Sequence, residues 1–278
     1  MKLSKNLNYL RPIKINNLFR VGNNADGGYV VPFKTFKKID TILSFGLGDN
    51  FSFEQHALIL NNKLNIIIYD HTVNIFYFFK KFLKSIKRIF YFKSNLVNIL
   101  NKFTILLNYT LFFLINKKAQ HIHNKIVKKI YFSNESNLKS VFNNSKGKNF
   151  LVKIDIEGDE YKIISDINNF SKKIHILIIE FHNLDKKRKL FKNSIIFLKN
   201  SFNIIHIHGN NLRSLCKDKF PKVVEFTFLN KNIYPLNKKE LRKNFPIKDL
   251  DFPCYQFKKD YIRSEEHTSE LQSRFGIS

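Results

Sequence analysis

Apolar and β-branched residues gather into seven short runs bounded by turn residues, a pattern that marks strands. The runs are residues 41–45 (TILSF), 65–70 (NIIIYD), 129–132 (KIYF), 150–155 (FLVKID), 175–181 (HILIIEF), 203–208 (NIIHIH) and 223–229 (VVEFTFL). Several are nearly continuous apolar stretches. Strands buried on both faces need that pattern, whereas half-exposed antiparallel strands alternate. Helical periodicity fills the gaps at 51–62, 74–128, 137–142, 159–168 and 185–198. Strands alternating with helices predict an α/β fold around a doubly wound, mostly parallel sheet. No well-formed helical pattern separates the last two runs, which leaves room for an antiparallel final hairpin.

Two segments stand outside the alternation. Residues 20–32 (RVGNNADGGYVVP) carry the Asp-Gly signal of a hairpin. With Arg20, Asp26, Gly27 and Gly28 just upstream of the first sheet strand, they could form a plain hairpin or a lid. Residues 74–128 are too long for one crossover, and NIFYFFKKFLKSIKRIFYFK interleaves basic and aromatic residues at helical spacing. The longest charge-free run there, 103–116, has fourteen residues, short of the roughly twenty a membrane span needs. A basic amphipathic insertion could pack its Phe face on the domain or lie on a membrane surface. The expected organisation is a hairpin or lid segment at 1–40 and one domain at 41–262, with the insertion near 74–128. No internal repeat is visible.

Composition sharpens this picture. The chain has 278 residues, of which 44% are hydrophobic, enough to exclude a disordered polyelectrolyte. Its 48 Lys and Arg against 22 Asp and Glu give a formal charge of +26, which invites nucleic acid as a partner. Yet Lys, Asn, Ile and Phe are abundant throughout, with 30 Phe and no Trp, as an AT-rich coding sequence would produce. Basic excess of that origin spreads over the whole surface, so nucleic acid is not expected as a partner. Cys216 and Cys254 make neither a disulfide framework nor a zinc pattern, and the expected location is the reducing cytoplasm. No apolar stretch follows Lys2 and Lys5 as a signal peptide would require.

Residues 263–278 (RSEEHTSELQSRFGIS) break with the rest of the chain, replacing its Lys/Ile/Asn/Phe background with acidic residues, Ser, Thr and Gln. They resemble the translation of a sequencing-library adapter and are expected to be foreign to the fold. The natural C-terminus is then left open.

The chemistry clusters where strands end. The first run leads into Gly46-Leu47-Gly48-Asp49, a turn that lets backbone approach a ligand ahead of a helix N-terminus. The second ends at Asp70, about where nucleotide folds place a carboxylate for ribose hydroxyls. No third glycine completes a pyrophosphate loop, so an adenosine-containing cofactor without phosphates fits better. The fourth run ends in Asp155-Ile156-Glu157-Gly158-Asp159-Glu160. Asp159 and Glu160 suit the first turn of a helix. Asp155 and Glu157 have no evident folding use and could bind cofactor or substrate, or chelate a divalent cation. His182 follows the fifth run, and His206 and His208 share one face of the sixth, each a candidate general base or a structural histidine. His121 and His123 lie in a basic polar stretch and read as solvated.

Together these residues resemble the FkbM-type methyltransferases, a branch of the S-adenosylmethionine-dependent class with a seven-stranded Rossmann-like sheet. The resemblance runs from about residue 20 to 229 and rests on RVGNNADGGYVVP, SFGLGDN, YDHT, KIDIEGDEY, IIEFHN, HIHGNN and VVEFTF. KIDIEGDE is its most specific piece, and 74–128 its thinnest stretch. It implies S-adenosyl-L-methionine as cofactor, with Gly46 and Gly48 bordering the methionine part and Asp70 taking the ribose hydroxyls. Asp155 and Glu157 would lie beside the site of methyl transfer. One departure matters. Many members carry an acid just before the glycine turn, and Ser44-Phe45 stands here, leaving Asp49 to meet the methionine amino group.

The resulting expectation is O-methylation of a hydroxyl on a sugar, glycan or secondary metabolite, with Asp155, His182 or His208 as base. No dedicated metal is expected. The competing expectation is a non-catalytic module with a vestigial cofactor site, whose basic insertion grips nucleic acid or an anionic membrane. Acceptor identity and oligomeric state stay open.

Overall fold

The computed structural model describes residues 9–89, 91, 95–235, 240–242 and 245–261, so the adapter-like tail lies outside the described residues. A hairpin of β1 (Leu18–Val21) and β2 (Tyr29–Pro32) leads through α1 (Phe33–Phe36) to β3 (Thr41–Phe45), α2 (Ser52–Leu60) and β4 (Asn65–Tyr69). Two helices follow, α3 (Ile75–Ile89) and α4 (Leu96–Ile115), then β5 (Ala119–Ile122) and the two-residue strands β6 (Lys125–Ile126) and β7 (Glu135–Ser136). The rest alternates: α5 (Leu138–Asn144), β8 (Phe150–Ile154), α6 (Glu160–Ile167), β9 (Ile174–Phe181), α7 (Arg188–Leu198), β10 (Phe202–Gly209) and β11 (Val224–Asn230).

Seven strands form one sheet in the order β10-β11-β9-β8-β3-β4-β5. Neighbours from β9 to β5 pair in parallel, and β11 is antiparallel to both β9 and β10. The expected antiparallel final hairpin is therefore present, with its second strand inserted inside the sheet. Every residue of β3, β8 and β9 is buried, because both faces are covered. One apolar layer includes Val152, Ile154, Leu177 and Ile179 under α5, α6 and α7. The other includes Leu151, Ile176 and Ile178 under the hairpin, α1, α2 and the α3–α4 pair. A large apolar side chain in such a layer contributes about 1.5–3 kcal/mol, and the double layer explains the unbroken apolar runs.

The edge strand differs from expectation. Residues 129–132 form no strand and are exposed, while Ala119–Ile122 pairs with β4 from Ile66↔Ala119 to Tyr69↔Ile122. An edge strand needs only one buried face, so Ala119 inward with Gln120 exposed suffices without a β-branched run. His121 is accordingly not solvated: Nδ1 lies 2.6 Å from Tyr109 Oη and Nε2 lies 3.0 Å from the Asp70 carbonyl. Burial lowers its pKa, partly countered by the Asp70 contacts.

The insertion is a helical hairpin. Asn95 caps α4 by accepting from the Asn98 amide at 2.9 Å, a contact typically worth about 1 kcal/mol. At twenty residues, α4 is long and apolar enough to cross a membrane by length and composition, which the fourteen-residue charge-free run does not predict. It packs along the domain instead, through buried Tyr109 and Phe112.

Candidate functional site

Strand register alone assembles the site. Beyond the last paired residues at the carboxyl edge, Asp70, Gly46, Asp155 and Glu180 succeed one another across β4, β3, β8 and β9. Glu225 then faces Glu180, and His208 faces Glu225. The chain leaves β3 towards β4 on one side and returns as β8 on the other, so β3 and β8 flank the switch point where open α/β sheets bind ligands. A cleft of about 400 Å³ opens there. Among the described residues its wall carries Asp26, Asp49, Asp70, Asp155, Glu157 and Asp159 against only Lys125 and Lys153. In a chain with 48 cations and 22 acids, that reversal of sign marks a place suited to a positive ligand.

The glycine turn fits its position closely. Gly46 has φ +88°, and a Cβ there would lie 1.7 Å from the Asp155 carbonyl oxygen, so no other residue lets β3 and β8 converge. At Gly48, with φ +59°, a Cβ would meet nothing within 4 Å among the described residues, so its outer side is open space at the cleft. Asp70 closes the turn from below. One of its oxygens accepts from the amides of Leu47 (2.7 Å) and Gly48 (3.0 Å), the other from the amide and hydroxyl of Thr72 (both 2.6 Å). Burial pushes this carboxyl up, but the hydrogen bonds outweigh it and hold the pKa below its ordinary value. Asp49 pairs with Lys81, reaching across from α3, while its Oδ1 is buried without a hydrogen-bond partner among the described residues.

Below the turn lies a network the sequence reading missed. Ser44 donates to Glu54 Oε1 at 2.6 Å, and Lys153 Nζ lies 3.4 Å from that oxygen and 2.9 Å from the Gly46 carbonyl. Glu54 is fully buried, and its second oxygen lacks a partner among the described residues. The acid missing before the glycine turn is thus matched by one arriving from α2, but Lys153 engages it beneath the cleft. An acid on the inward face of α2 was the available signal; its pairing with a lysine a hundred positions away was not.

The KIDIEGDE segment and His182 come together. Asp155 is 29% exposed at the cleft, with Tyr29 Oη donating to its Oδ2 at 3.4 Å. His182 Nε2 lies 3.7 Å from Asp155, 3.7 Å from Glu157 and 3.5 Å from Glu180. Burial disfavours charge on His182, yet Glu160 and the surrounding acids raise its pKa overall. Burial also raises Asp155; Lys153 and His182 pull it back, and Glu157 and Glu225 add to the rise. Glu157 takes a left-handed φ of +52°, a strained conformation of the kind that collects at binding sites. Glu160 accepts from the amides of Gly158 and His182, both at 2.8 Å, which fixes this loop. Asp159 stands at the α6 N-cap but makes no side-chain cap bond, pairing instead with Lys125 and Lys162.

His208 is a correction. It lies apart from the cleft, with its ring nitrogens 3.4 Å from Glu225 and 3.0 Å from Asp260. Burial opposes its charge, but Asp260, Cys254 and Glu225 raise its pKa well above the ordinary value. Both nitrogens are engaged, so no lone pair is left to take a proton from an acceptor. His206 stands 2.9 Å from Asp251, and Asn211 bonds Tyr255 and Lys258. The HIHGNN segment therefore clamps residues 251–260 onto β10. Among the described residues, two trios bring ligand-type atoms within 4.8 Å of one another: Asp155, Glu157 and His182 at the cleft, and His208, Glu225 and Cys254 in the clamp.

The N-terminal hairpin supplies further cleft residues. Thr227 donates to the Val30 carbonyl at 2.7 Å, and Asn50 donates to that of Asp26 at 2.6 Å. These bonds lay β2 over the sheet and bring Asp26, Gly27 and Tyr29 to the cleft wall.

No protein-family model matches the chain, and no curated protein matches its sequence. Among solved structures it is similar to the fibrillarin pre-rRNA processing protein of Methanococcus jannaschii, at 11% identity over 70% of this chain and 68% of that one, with a TM-score of 0.39. It is also similar to TrmK from M. capricolum, solved with S-adenosyl-homocysteine, at 16% identity over 75% and 70% of the chains and a TM-score of 0.36. Precorrin-6y C5,15-methyltransferase from Geobacter metallireducens gives 10% identity over 72% and 87%, with a TM-score of 0.34.

Proposed function

We propose that this chain is a group-transfer enzyme acting at the switch-point cleft, and specifically an S-adenosylmethionine-dependent O-methyltransferase. The observation that carries the reading is the acid-lined cleft beside an open Gly46-Leu47-Gly48 turn, in a chain otherwise strongly basic. Four of the FkbM-like motifs, RVGNNADGGYVVP, SFGLGDN, YDHT and KIDIEGDEY, contribute residues to that one cleft, which supports the cofactor assignment. Gly46 and Gly48 would border the methionine part, with the orphan Oδ1 of Asp49 accepting from its ammonium group. Asp70 would reach ribose hydroxyls only by sharing oxygens that already hold the turn, so shaping the loop is its first task. When bound, S-adenosylmethionine supplies a methyl group already activated on sulfonium.

The residues then have two tasks, aligning an acceptor hydroxyl and handling its proton. Asp155 is the better base, since it faces the cleft and its pKa is raised. His182, held towards its protonated form by Glu160, Asp155 and Glu157, offsets the negative charge these acids gather beside the acceptor. The acceptor class inferred from the resemblance is a sugar, glycan or secondary-metabolite hydroxyl, in the cytoplasm. Calorimetric titration with S-adenosylhomocysteine tests the reading directly: saturable one-site binding is expected, and absence of heat from a folded chain would reject it.

A further inference from the structure

We propose that the α3–α4 hairpin docks this protein on anionic lipid bilayers, lying in the plane of the surface. Between Asp70 and Glu135 the chain holds twelve Lys and Arg and no Asp or Glu, so this segment is basic beyond the background of the chain. The outward side of α4 is largely apolar, and that of α3 interleaves apolar and basic residues. Phe76 is 70% exposed, Phe79 46% and Phe103 46%, and Leu107, Leu111 and Leu114 continue the α4 stripe at spacings of four and three. Lys80, Lys84 and Lys87 are exposed among the apolar residues of α3. Long lysine stems flanking an apolar stripe suit a headgroup layer, where the ammonium reaches phosphates while the stripe enters the acyl boundary.

Other occupants fit less well. Nucleic acid would satisfy the lysines but leave the leucines in water. A second copy placed face to face would bring two strongly basic surfaces together with no acid between Asp70 and Glu135 to offset them. A crossing of the bilayer by α4 would strip Tyr109 and Phe112 from the domain core, where both are buried. Since α3 also carries Lys81 to Asp49 at the cleft, one helix serves both the docking face and the cofactor loop. Docking itself does not depend on the proposed methyl transfer.

The chain contains no Trp, so Leu107→Trp of the full chain gives a single reporter. Co-sedimentation and emission are measured with vesicles of phosphatidylglycerol and phosphatidylcholine in equal parts, and with phosphatidylcholine alone. At least about tenfold tighter binding to the anionic vesicles is expected, with a blue shift of the reporter. The double variant Leu107→Ser/Leu111→Ser, its fold checked by circular dichroism, should lose binding by a similar factor, as should Lys80→Glu/Lys84→Glu. Absence of binding, equal binding to both vesicles, or no reporter shift would overturn the proposal. So would tighter binding to a single-stranded RNA that the Leu107→Ser/Leu111→Ser variant leaves intact, or a dimer in solution that this variant dissolves.

Discussion

Asp70 accepts from four donors at 2.6–3.0 Å, and an amide cannot serve them all. Asp70→Asn must turn its NH₂ towards one pair of N–H or O–H groups, leaving donors unpaired at about 1–3 kcal/mol. A drop in denaturant stability of that size is expected, together with weaker S-adenosylhomocysteine binding because the turn loosens; unchanged stability would show that the loop does not depend on Asp70. Asp155→Asn makes a different demand. The amide keeps the size of the carboxylate and an oxygen for Tyr29 to donate to, but cannot take a proton. Methyl transfer should fall by roughly 10²–10⁴-fold, with cofactor affinity changing far less; a variant retaining most of its turnover would move the base elsewhere. Asp70, Asp155 and Glu157 were legible because acids ending apolar runs have no place in a buried strand. Glu54 and Lys153 were not, since each becomes meaningful only through the other, across 99 positions of chain. His208 misled for a related reason: a histidine near a strand end reads the same whether it faces a cleft or a clamp.

At the scale of elements, the glycine turn between β3 and α2 separates two kinds of requirement. Gly46→Ala would press a Cβ to 1.7 Å from a backbone carbonyl of the neighbouring strand, and neither strand can yield without opening the sheet. Loss of soluble folded protein, or a stability loss above about 4 kcal/mol, is expected. Gly48→Ala meets no atom within 4 Å among the described residues and costs only the left-handed φ, about 1–2 kcal/mol. Its methyl group would occupy the open side of the turn, so cofactor affinity should fall while the fold persists. Equal effects from the two substitutions on denaturation curves would contradict the geometry. The same distinction explains which elements the sequence foretold. Core strands β3, β8 and β9 need apolar residues on both faces and therefore announce themselves. The edge strand β5 needs only one apolar face and reads as AQHI, whereas the more strand-like KIYF lies exposed. The break within 74–128 was hidden because both helices carry apolar residues on two sides, some for the domain and some facing outward.

The whole molecule combines a basic surface with a buried acidic row, and this arrangement predicts an unusual dependence of stability on pH. Burial, with Asp155, Glu225 and Asp26 close by, raises the Glu180 carboxyl well above its ordinary value of 4.5. The unfolded chain releases that proton at ordinary acidity, while the folded chain keeps it. Stability from this group therefore falls as pH rises above about 4.5. His208 acts in the same direction: its raised folded pKa contributes stability that is complete below the unfolded value of 6.5 and is lost as pH climbs through the folded pKa. Asp70 and Asp251 oppose this only in strong acid, because their lowered pKa values give stability that is lost as pH falls below about 3.8. Glu180 and His208 thus favour the mildly acidic side over the alkaline one, despite the large positive net charge, while His121, whose pKa burial lowers, works the other way below its ordinary 6.5. Glu180→Gln keeps an oxygen for the Asn210 amide, 3.1 Å away, and removes the buried ionisation. It should leave stability at about pH 5 nearly unchanged and raise it at about pH 8 by ~1–2 kcal/mol. Urea denaturation of both chains across that range checks the sign, and parallel curves would mean that Glu180 ionises as freely in the folded chain as in the unfolded one.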